Sequence, residues 1–204
     1  MQKLSGILFT LFLFLTAVQS QETSIDFHTP AEWKGETIQL PPGFAPDLKW
    51  NGVEHIRFAP GMFKPESESF FSYLLVFLLK EGEDVSDESV KAQVLTYYKG
   101  LANAVMGGKQ KSVDTSGFSI DLKAMTGDLK SLPGPATGKA PKAWSGTLNW
   151  IEPFRTEKEQ ALNFEVHLWL NKNAPVIYFT VSPQATDHAI WEEMRKHRTA
   201  FEIK

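Results

Sequence analysis

One apolar run in the first half of the chain, SFFSYLLVFLLK at residues 69–80, constrains the fold more than any other stretch. In an extended strand the side chains alternate between two faces, and here both faces are apolar. Acidic and turn-forming segments flank the run, with PESES before it and EGEDVSDES after it. A short, bounded run that is rich in aromatic residues is more typical of a buried strand than of a helix. The run therefore predicts a central strand of a sheet, with a layer packed on each face.

The N-terminal segment is predicted to be a signal peptide rather than part of the fold. Lys3 supplies a positive charge, residues 4–18 carry no charge, and Val18-Gln19-Ser20 fits a signal-peptidase site, so cleavage is expected after Ser20. The alternative is an uncleaved membrane anchor, but this run is shorter than the roughly 20 residues that a spanning helix needs. We expect a secreted or periplasmic protein in which residues 21–204 form a single domain.

The composition excludes several classes of protein. The chain has no cysteine, so a disulfide scaffold and a cysteine-ligated metal site are ruled out. The formal charge of −3 argues against nucleic acid as a partner, and against a membrane as a partner after signal cleavage. The motifs HExxH, GxSxG and GxGxxG and the EF-hand loop are missing from the sequence. We therefore expect no cofactor and no metal.

Two helices are predicted, one before and one after a second group of strands along the chain. Ser86 is a good N-cap, two acidic residues follow it, and apolar residues recur every three or four positions over 90–105. Gly107-Gly108 is expected to end this helix, and Gly100 inside it indicates close packing against the sheet. Thr186 or Asp187 is expected to cap the final helix. Its predicted inner stripe is Ile190, Trp191, Met194, Arg198 and Phe201.

The remaining strands are predicted from alternation and turn residues at 36–40, 53–58, 117–125, 143–152, 160–170 and 176–182. The segment 126–142 is rich in proline, glycine and lysine, and it is predicted to be a mobile surface loop within the domain. The last two strands alternate strictly, and a turn at Lys172-Asn173 would form a hairpin. The expected pairs are Phe164 with Val181, Val166 with Phe179, Leu168 with Ile177, Asn163 with Ser182, Glu165 with Thr180, and His167 with Tyr178.

Together these elements predict an α+β fold, with a mainly antiparallel sheet covered by two helices. The order of the elements resembles that of the Mog1/PsbP-like α/β/α sandwich. The stretch 58–79, FAPGMFKPESESFFSYLLVFLL, resembles a family of secreted bacterial proteins without assigned function. That resemblance implies export and a single soluble domain, and it carries no catalytic residues.

Two groups of polar residues are candidate sites. The first is the polar face of the hairpin, with Asn163, Glu165, His167, Trp169, Tyr178 and Thr180. This face is either a binding surface for a polar ligand or the ordinary solvated face of a sheet. A carboxylate beside His167 would favour the protonated imidazole. The second candidate is Glu54, His55 and Arg57, which form either an anion or acid/base site or a solvated ion pair on an edge strand.

Two functions follow from these candidates. The first is non-catalytic binding of a small polar ligand or a protein partner. The second is a small hydrolase that uses a histidine and a carboxylate, with His167 and Glu165 as the first candidates. A hydrolytic site would need a cleft in which the base, its partner and a nucleophile or water lie within hydrogen-bond reach.

Overall fold

A computed structural model describes residues 24–125 and 142–204 of the chain. The predicted signal peptide and nearly all of the predicted mobile loop lie outside these residues. The strands are β1 (Ile25–Asp26), β2 (Lys34–Leu40), β3 (Gly52–Phe58), β4 (Tyr73–Leu79), β5 (Ser119–Ala124), β6 (Lys142–Ile151), β7 (Glu159–Asn171), β8 (Ala174–Ser182) and β9 (Glu202–Ile203). The helices are α1 (Asp87–Gly108) and α2 (Ala189–Ala200).

Seven strands form one antiparallel sheet in the order β2-β3-β4-β8-β7-β6-β5, and β1 and β9 form a separate two-stranded sheet. The predicted central strand is confirmed over 73–79, where β4 pairs with both β3 and β8. The first residues of the predicted run, 69–72, form a turn instead, and Phe71 has a φ of 50° there. Phe70 and Phe71 are nevertheless buried in the core.

The two faces of β4 lie in two different cores. Tyr73, Leu75 and Phe77 belong to the core on the α1 side of the sheet. Leu74 and Val76 belong to the core on the other side, together with residues of α2 and of the segments around β1 and β9. The prediction of a layer on each face is therefore confirmed. The chain has an α+β fold with an antiparallel sheet and two helices, as its alternation pattern predicts.

Helix α1 begins as predicted, because the Ser86 hydroxyl accepts a hydrogen bond from the Ser89 N–H at 3.2 Å. It runs through Gly107 and Gly108, which were expected to end it. Gly100 allows a close approach, but to the β2–β3 connection and not to the sheet. A Cβ at Gly100 would lie only 2.5 Å from the Phe44 carbonyl oxygen. Any larger residue would push this connection away from the helix.

The β7–β8 hairpin has the predicted turn at 172–173, and all six predicted pairs are present. Helix α2 starts slightly later than expected, because the Nδ1 of His188 accepts the capping hydrogen bond from Ile190 N–H at 3.2 Å. Ile190, Trp191 and Met194 form its buried stripe, and Phe201 is buried just beyond its end. This helix lies over β8 on the face opposite α1.

Candidate functional site

The polar face of the hairpin is not an open surface. Helix α2 and the β1–β9 sheet cover it, so that His167 is 1% exposed and Glu165 is 7% exposed, while Tyr178 and Thr180 are fully buried. Trp169 stacks on Tyr178 with their ring centres 6.4 Å apart, and Phe201 packs against both rings. The expectation of a solvated sheet face is therefore wrong. Strand alternation predicts which residues share this face, but it does not show that a helix covers them.

Polar groups on this face hold α2 in place. The Arg195 guanidinium donates two hydrogen bonds to Glu165 Oε1, at 2.6 Å from Nη2 and 3.0 Å from Nε. Asn163, half-buried at the edge of the face, donates to the Gln184 carbonyl at 3.0 Å. Burial and, to a smaller extent, the positive charge of Arg198 lower the pKa of His167 to about 3. The imidazole is thus neutral, which contradicts the expectation that Glu165 would favour its protonated form.

The second predicted patch is divided between the two faces of the sheet. Glu54 points toward α1 and is fully buried there. His55 and Arg57 lie on the other face, as alternation along β3 requires. The Nδ1 of His55 is 3.1 Å from the Thr37 hydroxyl, and the Arg57 guanidinium lies 4.9 Å from the ring centre of Phe27. The three residues therefore do not form one site, but Glu54 belongs to a different one.

Glu54 lines a cavity of about 290 Å³ between the β2-β3-β4 end of the sheet, α1 and the loops beyond them. The wall is formed mainly by aromatic and aliphatic side chains. The lining residues are Glu36, Ile38, Phe44, Glu54, Ile56, Phe58, Met62, Phe63, Phe71, Tyr73, Tyr97, Leu101 and Phe154. A mostly apolar cavity with a few convergent polar groups is the usual form of a small-molecule site.

A larger depression of about 640 Å³ lies at the other end of the sheet, beside Asp114, Asn149 and Glu159. These three side chains are exposed to solvent. None of the residues that line this depression is a buried ionisable group. The smaller cavity is therefore the stronger candidate for a specific site.

The carboxyl group of Glu54 is paired on one side only. The Tyr97 hydroxyl donates a hydrogen bond of 2.8 Å to Oε1. The other oxygen, Oε2, is buried and has no hydrogen-bond partner among residues 24–125 and 142–204. The pKa of Glu54 is raised to about 7, mainly by burial; the Tyr97 hydrogen bond opposes the rise, and the charge of Glu36 makes a smaller contribution to it. The carboxyl group can therefore change its charge near neutral pH.

Three buried tyrosines surround this carboxyl group. Burial raises the pKa of Tyr97 well above its ordinary value, and the charge of Glu54 raises it further, so the hydroxyl keeps its proton. The hydroxyls of Tyr73 and Tyr98 are hydrogen-bonded to each other. Tyr97 also packs edge-on against Phe44, with ring centres 5.0 Å apart. The polar end of the cavity is thus held by side chains of α1, β3 and β4.

A buried carboxylate fixes the loop that forms another part of the wall. Glu152 accepts hydrogen bonds from the backbone N–H groups of Phe154, Arg155 and Thr156, at 2.6, 3.0 and 2.6 Å. This turn holds Phe154 against Phe71, with ring centres 5.7 Å apart. The Lys109 ammonium fastens the loop from the other side, by donating to the Phe154 carbonyl at 3.0 Å. These hydrogen bonds therefore fix the position of Phe154 in the wall.

Phe63 lies at the rim of the cavity and is 37% exposed. It is the one large hydrophobic residue that is exposed in the part of the chain that the structure describes. Its ring packs between Phe58 and Phe154, at 5.7 and 5.8 Å. The Arg155 guanidinium lies 5.9 Å from its ring centre. Exposed apolar surface of this kind often marks a site that binds an apolar ligand.

Comparison with known proteins gives no relative from which a function could be transferred. No protein-family model, no curated protein and no solved structure matches this chain. Across 24–125 and 142–204, neither helix is long and apolar enough to cross a membrane. The same residues contain no group of three or more histidines and carboxylates that could hold a metal ion.

The sequence contains one signal that points to the cavity. Glu54 shares its face of β3 with Ile56 and Phe58, so a charged residue interrupts an apolar face beside the central strand. A charge in that position is costly unless a partner or a ligand compensates it. The aromatic residues at 44, 63 and 154 come from loops, where no periodicity marks them as neighbours.

Proposed function

We propose that this protein is a non-catalytic binding protein that holds a small ligand in the aromatic cavity. The ligand has a mainly apolar body and one polar group that reaches Glu54. The observation that carries this proposal is the fully buried Glu54, whose Oε2 has no partner among the described residues, in an otherwise apolar wall. Such a carboxyl group lowers the stability of the free protein, and a bound polar group would relieve that cost.

The chemistry of the wall favours binding over catalysis. The lining residues include no histidine, serine, threonine or lysine that could act beside Glu54 as a nucleophile or a proton relay. Glu36 is the other carboxylate, and it is exposed at the mouth. The hydrolase hypothesis for His167 and Glu165 gains no support from their burial beneath α2.

The size of the cavity limits the ligand. A cavity of about 150 Å³ in another protein holds one benzene molecule. The volume of about 290 Å³ therefore suits an apolar body of roughly two rings or a comparable chain. Larger ligands would have to extend past the rim ring of Phe63.

A cavity-filling substitution tests this proposal. Phenylbutanol serves as a neutral probe, and its binding is measured by ligand-detected NMR. Ile38 lines the cavity and is half-buried on the edge strand β2, so Ile38→Trp should fill the mouth without unfolding the protein. We expect wild type to bind the probe with a dissociation constant of about 4 mM or tighter, because a gain of about 0.3 kcal/mol per non-hydrogen atom gives about 3.3 kcal/mol for phenylbutanol. Ile38→Trp should abolish this binding.

Gln39→Trp is the matched control, because Gln39 is exposed and points away from the cavity on the same strand. We expect this variant to bind phenylbutanol like wild type. Equal binding by Ile38→Trp and wild type would contradict the proposal, and so would the lack of any binding by wild type.

Two wider proposals accompany this one. We propose that the protein is secreted or periplasmic, on the basis of the uncharged apolar segment 4–18 and the resemblance of 58–79 to secreted bacterial proteins. We also propose that the fold belongs with the Mog1/PsbP-like α/β/α sandwiches. The order of the elements, with one helix on each face of the sheet, supports this grouping.

A further inference from the structure

The residues that line the cavity and can carry a charge near neutral pH have one sign. They are two carboxylic acids, Glu36 at the mouth and Glu54 inside, while the one guanidinium nearby, that of Arg155, lies outside the lining against the rim ring of Phe63. No lysine, arginine or histidine is among the lining residues. A ligand that carries a negative charge would therefore be repelled by both carboxylates, and a cation would be attracted.

The aromatic walls favour a cation as well. Seven aromatic rings line the cavity, and the faces of aromatic rings attract cations through their quadrupole. The rim already shows this type of contact, since the guanidinium of Arg155 lies 5.9 Å from the ring centre of Phe63. An ammonium group inside the cavity would meet both a carboxylate oxygen and aromatic faces.

The hydrogen bonding of Glu54 leaves one position for this group. Tyr97 occupies Oε1, and Oε2 is buried with no partner in the described part of the chain. An N–H donor with a positive charge makes a shorter and stronger hydrogen bond to a carboxylate than a neutral donor does. It also compensates the buried negative charge, which a neutral hydroxyl cannot do.

We infer that the cavity binds an organic monocation, in which an ammonium group pairs with Oε2 of Glu54 and an apolar body lies between the aromatic walls. This inference rests on the proposed function and names the chemical class of its ligand. Neutral alcohols and carboxylates of the same shape are the alternatives that the experiment must separate.

Phenylbutylamine, phenylbutanol and phenylbutyrate have the same apolar body and differ in the terminal group. Their dissociation constants for the purified protein would be measured by calorimetry or NMR at about pH 8. We expect the amine to bind at least about tenfold more tightly than the alcohol, and the carboxylate to bind most weakly. Glu54→Gln should reduce the preference for the amine over the alcohol to less than about threefold.

A control with the same change in charge is Asp121→Asn. Asp121 is an exposed residue on β5, the edge strand farthest from β2. This variant should keep the full preference for the amine. If Asp121→Asn loses the preference as Glu54→Gln does, the preference reflects overall charge and the inference is wrong.

The wild-type protein also provides a test that needs no variant. The titratable groups facing Glu54 are Tyr97 and Tyr98 on α1, Tyr73 on β4 and Glu36 on β2. Burial raises the pKa of all three tyrosines, so they stay neutral over about pH 6–8. Since the pKa of Glu54 is about 7, affinity for the amine should fall about tenfold from about pH 8 to about pH 6. Affinity for the alcohol should change by less than about threefold over the same range.

The outcomes separate this inference from the proposed function. If the alcohol binds as tightly as the amine and Ile38→Trp blocks both, the cavity is a binding site but its ligand is not a cation. If none of the three probes binds to wild type, the proposed function fails together with the inference. If Glu54→Gln does not fold, the pH series decides, and an amine affinity that is constant over about pH 6–8 overturns the inference.

Discussion

The substitution Glu54→Gln should change how the stability of the protein depends on pH. Glutamine keeps the shape of the side chain and an acceptor for the Tyr97 hydroxyl, but it cannot ionise. The pKa of Glu54 rises from its ordinary 4.5 to about 7 on folding. Each pH unit corresponds to about 1.4 kcal/mol, so the interval between 4.5 and 7 corresponds to about 3 kcal/mol.

The sign of the effect follows from proton binding. The folded protein binds the Glu54 proton more tightly than the unfolded chain does, so stability falls as pH rises through this interval. Below about pH 4.5 the carboxyl group is protonated in both states and costs nothing. Above about pH 7 the full cost is present. Wild type should therefore lose about 3 kcal/mol relative to Glu54→Gln between about pH 4.5 and pH 8.

Urea denaturation of both proteins at several pH values measures this difference directly. Subtracting the free energies of unfolding removes the contributions of all other titrating groups that the two proteins share. Glu36→Gln, at the exposed mouth of the cavity, should follow wild type within about 0.5 kcal/mol. If the difference between wild type and Glu54→Gln stays constant with pH, Glu54 titrates alike in both states, and the account of a buried carboxyl group is refuted.

Four further substitutions test the layers around the site, each by circular dichroism and urea denaturation. Val76→Asp and Phe77→Asp should both prevent folding, because the two faces of β4 are buried and an unpaired charge there costs several kcal/mol. A folded variant would contradict the burial of both faces of this strand. Glu152→Ala should lower the free energy of unfolding by about 3 kcal/mol or more, since it leaves several N–H groups of its turn without an acceptor. A loss below about 1 kcal/mol would show that the turn does not depend on Glu152. Arg195→Leu should lower the free energy of unfolding by about 1–3 kcal/mol, because it leaves the Glu165 carboxylate without its partner. An unchanged stability would show that this ion pair does not hold α2.

Local patterns in the sequence predict most of the fold. The apolar run at 73–79, the Ser86 cap and the alternation in the last hairpin each depend on neighbouring residues only. In the structure these patterns correspond to β4, the start of α1 and the β7–β8 register. These elements were predictable because hydrogen-bond geometry and side-chain period act within one segment or between two adjacent strands.

The covering of the hairpin face was not predictable in the same way. Alternation places Glu165, His167 and Thr180 on one face, and polar residues usually mark a face as solvated. Helix α2 covers them because its apolar residues Trp191 and Met194 pack in the core on this face, and because Arg195, which is distant in sequence, pairs with Glu165. A pairing of this kind depends on tertiary packing, which strand periodicity does not encode.

The cavity was missed for a related reason. Its rim and walls include Phe44, Phe63 and Phe154, which lie in three different connections between strands. Their meeting depends on the close approach that Gly100 permits and on the turn that Glu152 organises. Only Glu54 gave a local sign of the site, as a charged residue on an apolar strand face.

The location of a bound probe shows whether this cavity is the binding site. Methyl-labelled protein would be titrated with phenylbutylamine at about pH 8, and the methyl NMR shifts would be followed. The methyl groups of the cavity wall belong to Ile38, Ile56, Met62 and Leu101. The reference methyl groups on the opposite face of the sheet belong to Leu74, Val76 and Val176. We expect the shifts of the wall methyl groups to change together with one dissociation constant, while the shifts of the reference methyl groups stay constant. Changes confined to the opposite face, or none on either face, would contradict the assignment of this cavity as the binding site.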